Sequence, residues 1–196
     1  KFSGISVIAL RVSFTGDLGW ELHCKTDDQK ALYTALLAAG KEYGAGPVGS
    51  RALMSMRIEK GYGSWSREYS PEYWPHEQGM AALCKMQKDF LNKSALEKVF
   101  AIEAREQLVI LHLDEDSVNA SNADATGGEP VFKDGKGVGR VTSGAYGYTV
   151  GMSLALAMVK GVAPGDQVEV MVLGKPHKAN ILHSPPFDPK GEKLRA

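Results

Sequence analysis

Apolar and polar positions alternate with a period of two near the start of the chain, pass to helical spacing, and return to a period of two beyond residue 105. The span Arg11 to His23, RVSFTGDLGWELH, carries the first alternation. Val12 and Phe14 sit between polar neighbours, Thr15-Gly16-Asp17 has turn chemistry, and Trp20 and Leu22 resume the pattern, which predicts two strands joined by a tight turn. Glu21 lies between two apolar residues and therefore faces the opposite side of its strand. Pattern alone leaves two readings. Glu21 is either a surface carboxylate or a cleft carboxylate that accepts paired hydrogen bonds from adjacent ligand N–H groups.

Helical spacing predicts a helix over 27–40, with Thr26 or Asp27 as its cap, Leu32, Ala35, Leu36 and Ala39 on one stripe, and Gly40 as its stop. A second helix is predicted over 47–60. Leu53, Met56 and Lys60 share one of its sides, and Arg51, Ser55 and Glu59 recur at four-residue spacing on another, which reads as a solvated polar face. Residues 66–78, SREYSPEYWPHEQ, form an irregular stretch rich in Tyr and Trp, and long loops of this kind often serve function. QGMAALCKM is read as a strand, and KSALEKVFAIE as a helix capped by Asn92 or Ser94.

From Arg105 onward the pattern is strands and turns, including an Asp-Gly hairpin turn at Lys133-Asp134-Gly135-Lys136. Five or six strands at this spacing predict a small antiparallel barrel or sandwich. The expected fold class is therefore α+β: an antiparallel sheet with packed helices over 1–104, followed by a small β-barrel over 105–196. The opening strand SVIALRVSF is apolar enough to need partners, so an upstream portion of the polypeptide is expected and residues 1–104 are expected to be incomplete at their N-terminus.

Composition removes several classes of function. The 23 basic and 23 acidic side chains cancel, leaving no charge field suited to nucleic acid or membrane binding. Cys24 and Cys84 stand apart with no CxxC, which fits a reducing compartment and argues against a disulfide framework or thiolate zinc site. No apolar run approaches the roughly 20 residues that span a bilayer. The Asn-x-Ser triplets at Asn92 and Asn119 read as chance matches, and the acidic stretch Asp114 to Asp124 lacks EF-hand register, so no metal site is assigned.

Four segments together resemble one family. TGDLGWELH is similar to the "TGE-GYE" segment of aminomethyltransferases, the T-protein of the glycine cleavage system. GSRALMSMRIEKGYGSW resembles their "ARDSLRLEAG" helix, DFLNKSAL their "DFIGKEAL" segment, and GRVTSGAYGYTVGMSLALAMV their "VTSGxxSPxLGxxIAmayV" barrel segment. The match follows the order of the whole chain. Gly147-Tyr148 in place of Ser-Pro, Ile58-Glu59-Lys60-Gly61 in place of "LEAG", and the ending PPFDPKGEKLR look more like the C-terminal folate part of the dimethylglycine and sarcosine dehydrogenases.

This resemblance implies a tetrahydrofolate-binding module of a one-carbon transfer enzyme yielding 5,10-methylenetetrahydrofolate. It implies that Glu21 binds the pterin end of the folate, with Phe14 and Trp20 as apolar surface and Arg51 and Arg57 as the candidate cations. Arg57 has a second possible role as a structural ion-pair partner of Glu21 or Glu59. The family's catalytic Asp has no counterpart in these residues, so no catalytic residue is assigned and the chain by itself is expected to lack turnover. FAD is implied only for an upstream domain. The implied partners are the folate and an N-terminal half or flavin domain, with oligomerisation left open, in a bacterial cytoplasm or the mitochondrial matrix. The family's iron–sulfur assembly branch fits poorly, because EKGYGSWSREY lacks its cysteine motif. The same residues also admit a stand-alone aminomethyltransferase fragment, or a purely structural domain with a degenerate site.

Overall fold

A computed structural model describes residues 1–114 and 123–196, so the Asn119 triplet lies outside the described residues. The N-terminal part contains strands β1 (Ile8–Leu10) and β2 (Glu21–His23) and helices α1 (Gln29–Gly40), α2 (Ser50–Glu59) and α3 (Lys93–Phe100). Six strands follow: β3 (Gln107–Leu113), β4 (Pro130–Lys133), β5 (Lys136–Gly147), β6 (Met152–Val159), β7 (Gln167–Val172) and β8 (Lys175–Ile181). They close into an antiparallel barrel in the order β3-β6-β5-β4-β7-β8, which resolves the choice between barrel and sandwich. The α+β class and the terminal barrel are as the patterning predicts.

The barrel holds almost the entire apolar core. Leu111, Leu113, Val131, Val141, Ala155 and Val170 belong to one buried cluster inside it. β6 is buried on both faces, with Leu154, Leu156 and Met158 covered as completely as Ala155 and Ala157. By contrast, Leu32 and Ile58 are the only buried hydrophobic residues among 1–104. Two successive left-handed residues, Asp134 (φ 50°) and Gly135 (φ 72°), make the β4–β5 turn where Asp-Gly predicts one.

Three expectations are corrected. First, β1 and β2 pair with Leu10 opposite Glu21, but residues 11–20 between them form a long loop rather than a tight turn. Gly16, at φ 88°, presses against the carbon chain of Lys60, where a Cβ would approach Cδ to 2.4 Å. The loop folds on itself, with Gly16 N–H donating to Ser13 Oγ at 3.0 Å and Gly19 set close against Val12 O, while Gly16 rests on the end of α2; Phe14 and Trp20 lie outside the paired strands. Second, QGMAALCKM is no strand. Its backbone closes local turns, with Leu83 N–H donating to Met80 O and Cys84 N–H to Ala81 O, and Leu83 is exposed. Third, the Arg51-Ser55-Glu59 row is not a solvated face: Ser55 and Glu59 are buried. α2 packs chiefly on β5 and also touches β6, so this polar row faces the barrel while Leu53 is exposed.

His177 on β8 shares the inward face with Ala179 and Ile181 and is 1% exposed. Among the described residues neither ring nitrogen has a hydrogen-bond partner. Burial, with a contribution from Lys175, holds its pKa below the ordinary value, so the native ring is neutral. The unfolded chain therefore binds the proton more readily, and native stability rises with pH across this titration.

Two measurements check this account. Leu111→Ala should cost about 2–5 kcal/mol in urea unfolding, because it opens a cavity in a filled barrel. The stability assigned to neutral His177 is fully present above about pH 6.5 and is lost as pH falls below it. A pH series of melting temperatures should fall on that acid side for the wild type and be flatter for His177→Leu; equal slopes would contradict the assignment.

Candidate functional site

The site is built where α2 and the segment after it meet the barrel. Ser55 Oγ donates to Tyr146 O at 2.5 Å, and Glu59 Oε1 accepts the Thr149 N–H at 2.8 Å. Gly147 makes room for this contact, since a Cβ there would come within 2.9 Å of Glu59 Cγ. The residue that distinguishes this chain from the Ser-Pro pattern thus sits against a buried helix carboxylate. Lys60, next along the chain, donates through Nζ to Asp188 O at 2.5 Å and to Asp188 Oδ2 at 3.1 Å.

Beneath these contacts lies a second carboxylate, Glu68, with no solvent exposure. Its Oε2 accepts from Ser64 N–H at 2.7 Å and from Arg57 Nη1 at 3.2 Å. Its Oε1 accepts from Thr142 Oγ1 at 2.6 Å and from Ser143 Oγ. Adjacent strand residues ordinarily face opposite sides, but β5 carries a register shift between Val141 and Ser143 that lets both hydroxyls reach one carboxylate. Burial pushes the Glu68 carboxyl up, yet the bonds from Ser143, Thr142 and Ser64, with the Arg57 charge, outweigh it and hold it below its ordinary value. The group is a fixed anion.

A third carboxylate, Glu77, secures the joint before the barrel. Arg105 donates to it through Nη2 at 2.6 Å and through Nε at 2.9 Å, which with burial opposing brings its pKa to about 2. Arg105 also lies over the Trp74 ring at 4.7 Å, and Tyr73 Oη both donates to Glu106 Oε2 at 3.1 Å and accepts from Arg140 Nη2 at 2.6 Å. The aromatic stretch 66–78, expected to serve function, is used here to clasp the barrel.

The five residues singled out from the sequence separate into three places. Glu21 opens β2 with its side chain 61% exposed, and His23 Nε2 lies 3.3 Å from its Oε2. Trp20 lines an open apolar groove of about 910 Å³ with Phe2, Ala9, Leu22, Leu32 and Tyr33. Phe14 sits partly exposed in the 11–20 loop. Arg57 is fully buried, and its acidic partner is Glu68 at 3.2 Å rather than Glu21 or Glu59. Arg51 lies instead in a second cavity, of about 480 Å³, together with Ser50, Met54, Arg67, Tyr146 and Tyr148. Sequence reasoning missed Glu68, Arg67 and the tyrosine pair. Only the shared "VTSG" segment marked Thr142 and Ser143 at all. Among the described residues no group of His, Cys, Asp and Glu is arranged to hold a metal, and no helix is long and apolar enough to cross a membrane.

Comparison with known proteins places these features. The GCVT N-terminal domain profile matches residues 1–88, and the glycine cleavage T-protein C-terminal barrel domain profile matches residues 106–188. The chain is 40% identical over 189 residues to human mitochondrial dimethylglycine dehydrogenase, covering 94% of this chain and 21% of that protein. It is 32% identical over 188 residues to an aminomethyltransferase of Symbiobacterium thermophilum, covering 93% of this chain and 48% of that one. The chain is homologous to the dimethylglycine and sarcosine dehydrogenases and to aminomethyltransferases. The crystal structure of the glycine cleavage system aminomethyltransferase T from Bartonella henselae has the same fold, with a TM-score of 0.78 at 21% identity over 92% of this chain and 50% of that one. The chain thus spans about one fifth of the dehydrogenases it matches and about half of the aminomethyltransferases.

Removing one member of a buried ion pair strands the other. Glu68→Ala should destabilise the protein by about 3–5 kcal/mol in chemical denaturation. The double variant Arg57→Met with Glu68→Leu should cost less than that single change. A double variant worse than the sum of the two singles would show that the pair is not what is being measured.

Proposed function

We propose that this chain is the tetrahydrofolate-binding module of a one-carbon, aminomethyl-transferring enzyme, the C-terminal part of a protein of the dimethylglycine and sarcosine dehydrogenase kind. Residues 1–104 are its folate-binding half and residues 105–196 its barrel domain. Folate, when bound, supplies the nitrogens that capture the one-carbon unit as 5,10-methylenetetrahydrofolate. This chain's share is binding and orientation. A flavin, where the parent uses one, belongs to another part of the protein. The mammalian relatives are mitochondrial by name, which favours the mitochondrial matrix, with the cytoplasm as the bacterial equivalent.

The observation that carries the reading is the state of Glu21. Among the described residues its oxygens are engaged by no lysine, arginine or backbone N–H, and a single His23 nitrogen is its near partner. Such a carboxylate has acceptor capacity left for two parallel donors, which is what a pterin ring N–H and its exocyclic amine present. Trp20, 59% exposed beside it, offers apolar surface to a planar ring. The 11–20 loop, which carries Trp20 and leads into Glu21, rests through Gly16 on Lys60, and Lys60 pairs with Asp188.

The test is calorimetric titration of tetrahydrofolate into the full-length protein. Glu21→Gln retains shape but sets a donor against a donor, and should weaken binding by about 2–4 kcal/mol with the melting temperature unchanged. An affinity equal to wild type would remove Glu21 from the site.

A further inference from the structure

We infer that the cavity beside α2 receives the acyl-glutamate end of the folate, with Arg51 and Arg67 taking its carboxylates and Tyr146 and Tyr148 facing its aryl ring. This rests on the folate reading above and adds to it a second place of attachment. The two places are chemically opposite. Glu21 presents acceptors, whereas the cavity presents cationic donors. Folate is asymmetric in the same sense, with ring N–H and amine donors at one end and an aryl amide bearing two carboxylates at the other.

Arg51 and Arg67 both line the cavity, and neither guanidinium makes a hydrogen bond or ion pair among the described residues. The one acidic side chain in the lining, Asp124, already accepts Ser153 Oγ at 2.6 Å. Among the described lining residues, two arginines stand against one aspartate, an excess of positive charge. Arg67 also repels the buried Arg57, an unfavourable interaction that a bound anion would offset. Guanidinium groups suit carboxylates because their paired N–H donors match the two oxygens. The rings of Tyr146 and Tyr148 stand edge to face, 5.0 Å apart at 74°, and Tyr148 is exposed, which leaves a ring surface open to a third aromatic group. About 480 Å³ falls within the range of small-ligand sites. Tyr146 is fixed by its own backbone carbonyl, which accepts from Ser55, so the wall of the cavity is tied to the helix that carries Arg51.

The decisive comparison uses two ligands on the full-length protein: tetrahydrofolate, and tetrahydropteroate, which lacks the glutamate. Arg51→Gln and Arg67→Gln change exposed side chains, and unaltered thermal unfolding will verify that the fold is kept. The expected result is that at least one arginine variant binds tetrahydrofolate about ten- to a hundredfold more weakly and binds tetrahydropteroate as wild type does. Glu21→Gln, run alongside, should weaken both ligands. Arginine variants that affect both ligands equally, or neither, while Glu21→Gln weakens both, overturn the cavity assignment and leave the pterin assignment standing. A Glu21→Gln variant that binds both ligands as wild type does overturns the folate reading, and this inference with it.

Discussion

A carboxylate without access to water must be met on every side, and Glu68 is met by four donors from three separate stretches of chain. Arg57 comes from α2, Ser64 from the turn after it, and Thr142 and Ser143 from β5. None of these donors can be withdrawn cheaply, because what remains is an uncompensated buried charge. The cost of exposing this polar network therefore adds to the burial of Ile58 in holding the helix in place. Directional bonds of this kind fix distance and rotation together, which hydrophobic contact, being non-directional, does less sharply.

That arrangement explains why α2 buries polar residues beside Ile58. Its polar row meets the barrel through Ser55 and Glu59, while Leu53 is exposed. The same orientation brings Arg51 to the cavity bounded by Tyr146 and leaves Lys60 at the far end, between Gly16 and Asp188. One helix thus borders both the cationic cavity and the loop that carries Trp20 and leads into Glu21.

The barrel strands were legible in the sequence because their side-chain alternation is local and their turns announce themselves, as Asp134-Gly135 does. The helices were legible to within a few residues, since α1 and α2 fall inside the predicted spans 27–40 and 47–60. What was not legible depends on partners remote in the chain. Four-residue spacing of Arg51, Ser55 and Glu59 is the same for a solvated face and a buried one, and only β5, some ninety residues later, decides between them. The β5 irregularity that turns Thr142 and Ser143 toward one carboxylate leaves no trace in a period-two pattern. Small residues around Ala81 suggested a strand because alternation cannot reveal that no neighbouring strand is there to pair with it. Of the proposed site, Glu21 was identified by its place between Trp20 and Leu22, and Arg51 by resemblance, whereas Arg67 and Glu68 sat unnoticed in a stretch read for its aromatics.

The uneven distribution of the apolar core has a consequence for motion. Residues 1–104 bury only Leu32 and Ile58 of their hydrophobic side chains, while β6 alone buries seven consecutive residues. Resistance to local opening follows buried contacts, so backbone amides should exchange with solvent slowly in the barrel and in the part of α2 bound to it, and fastest in β1 and β2. β2 begins with Glu21. The carboxylate proposed for ligand binding therefore sits on one of the most readily opened elements of the molecule, and a ligand bound there would slow exchange in β1 and β2 more than in the barrel.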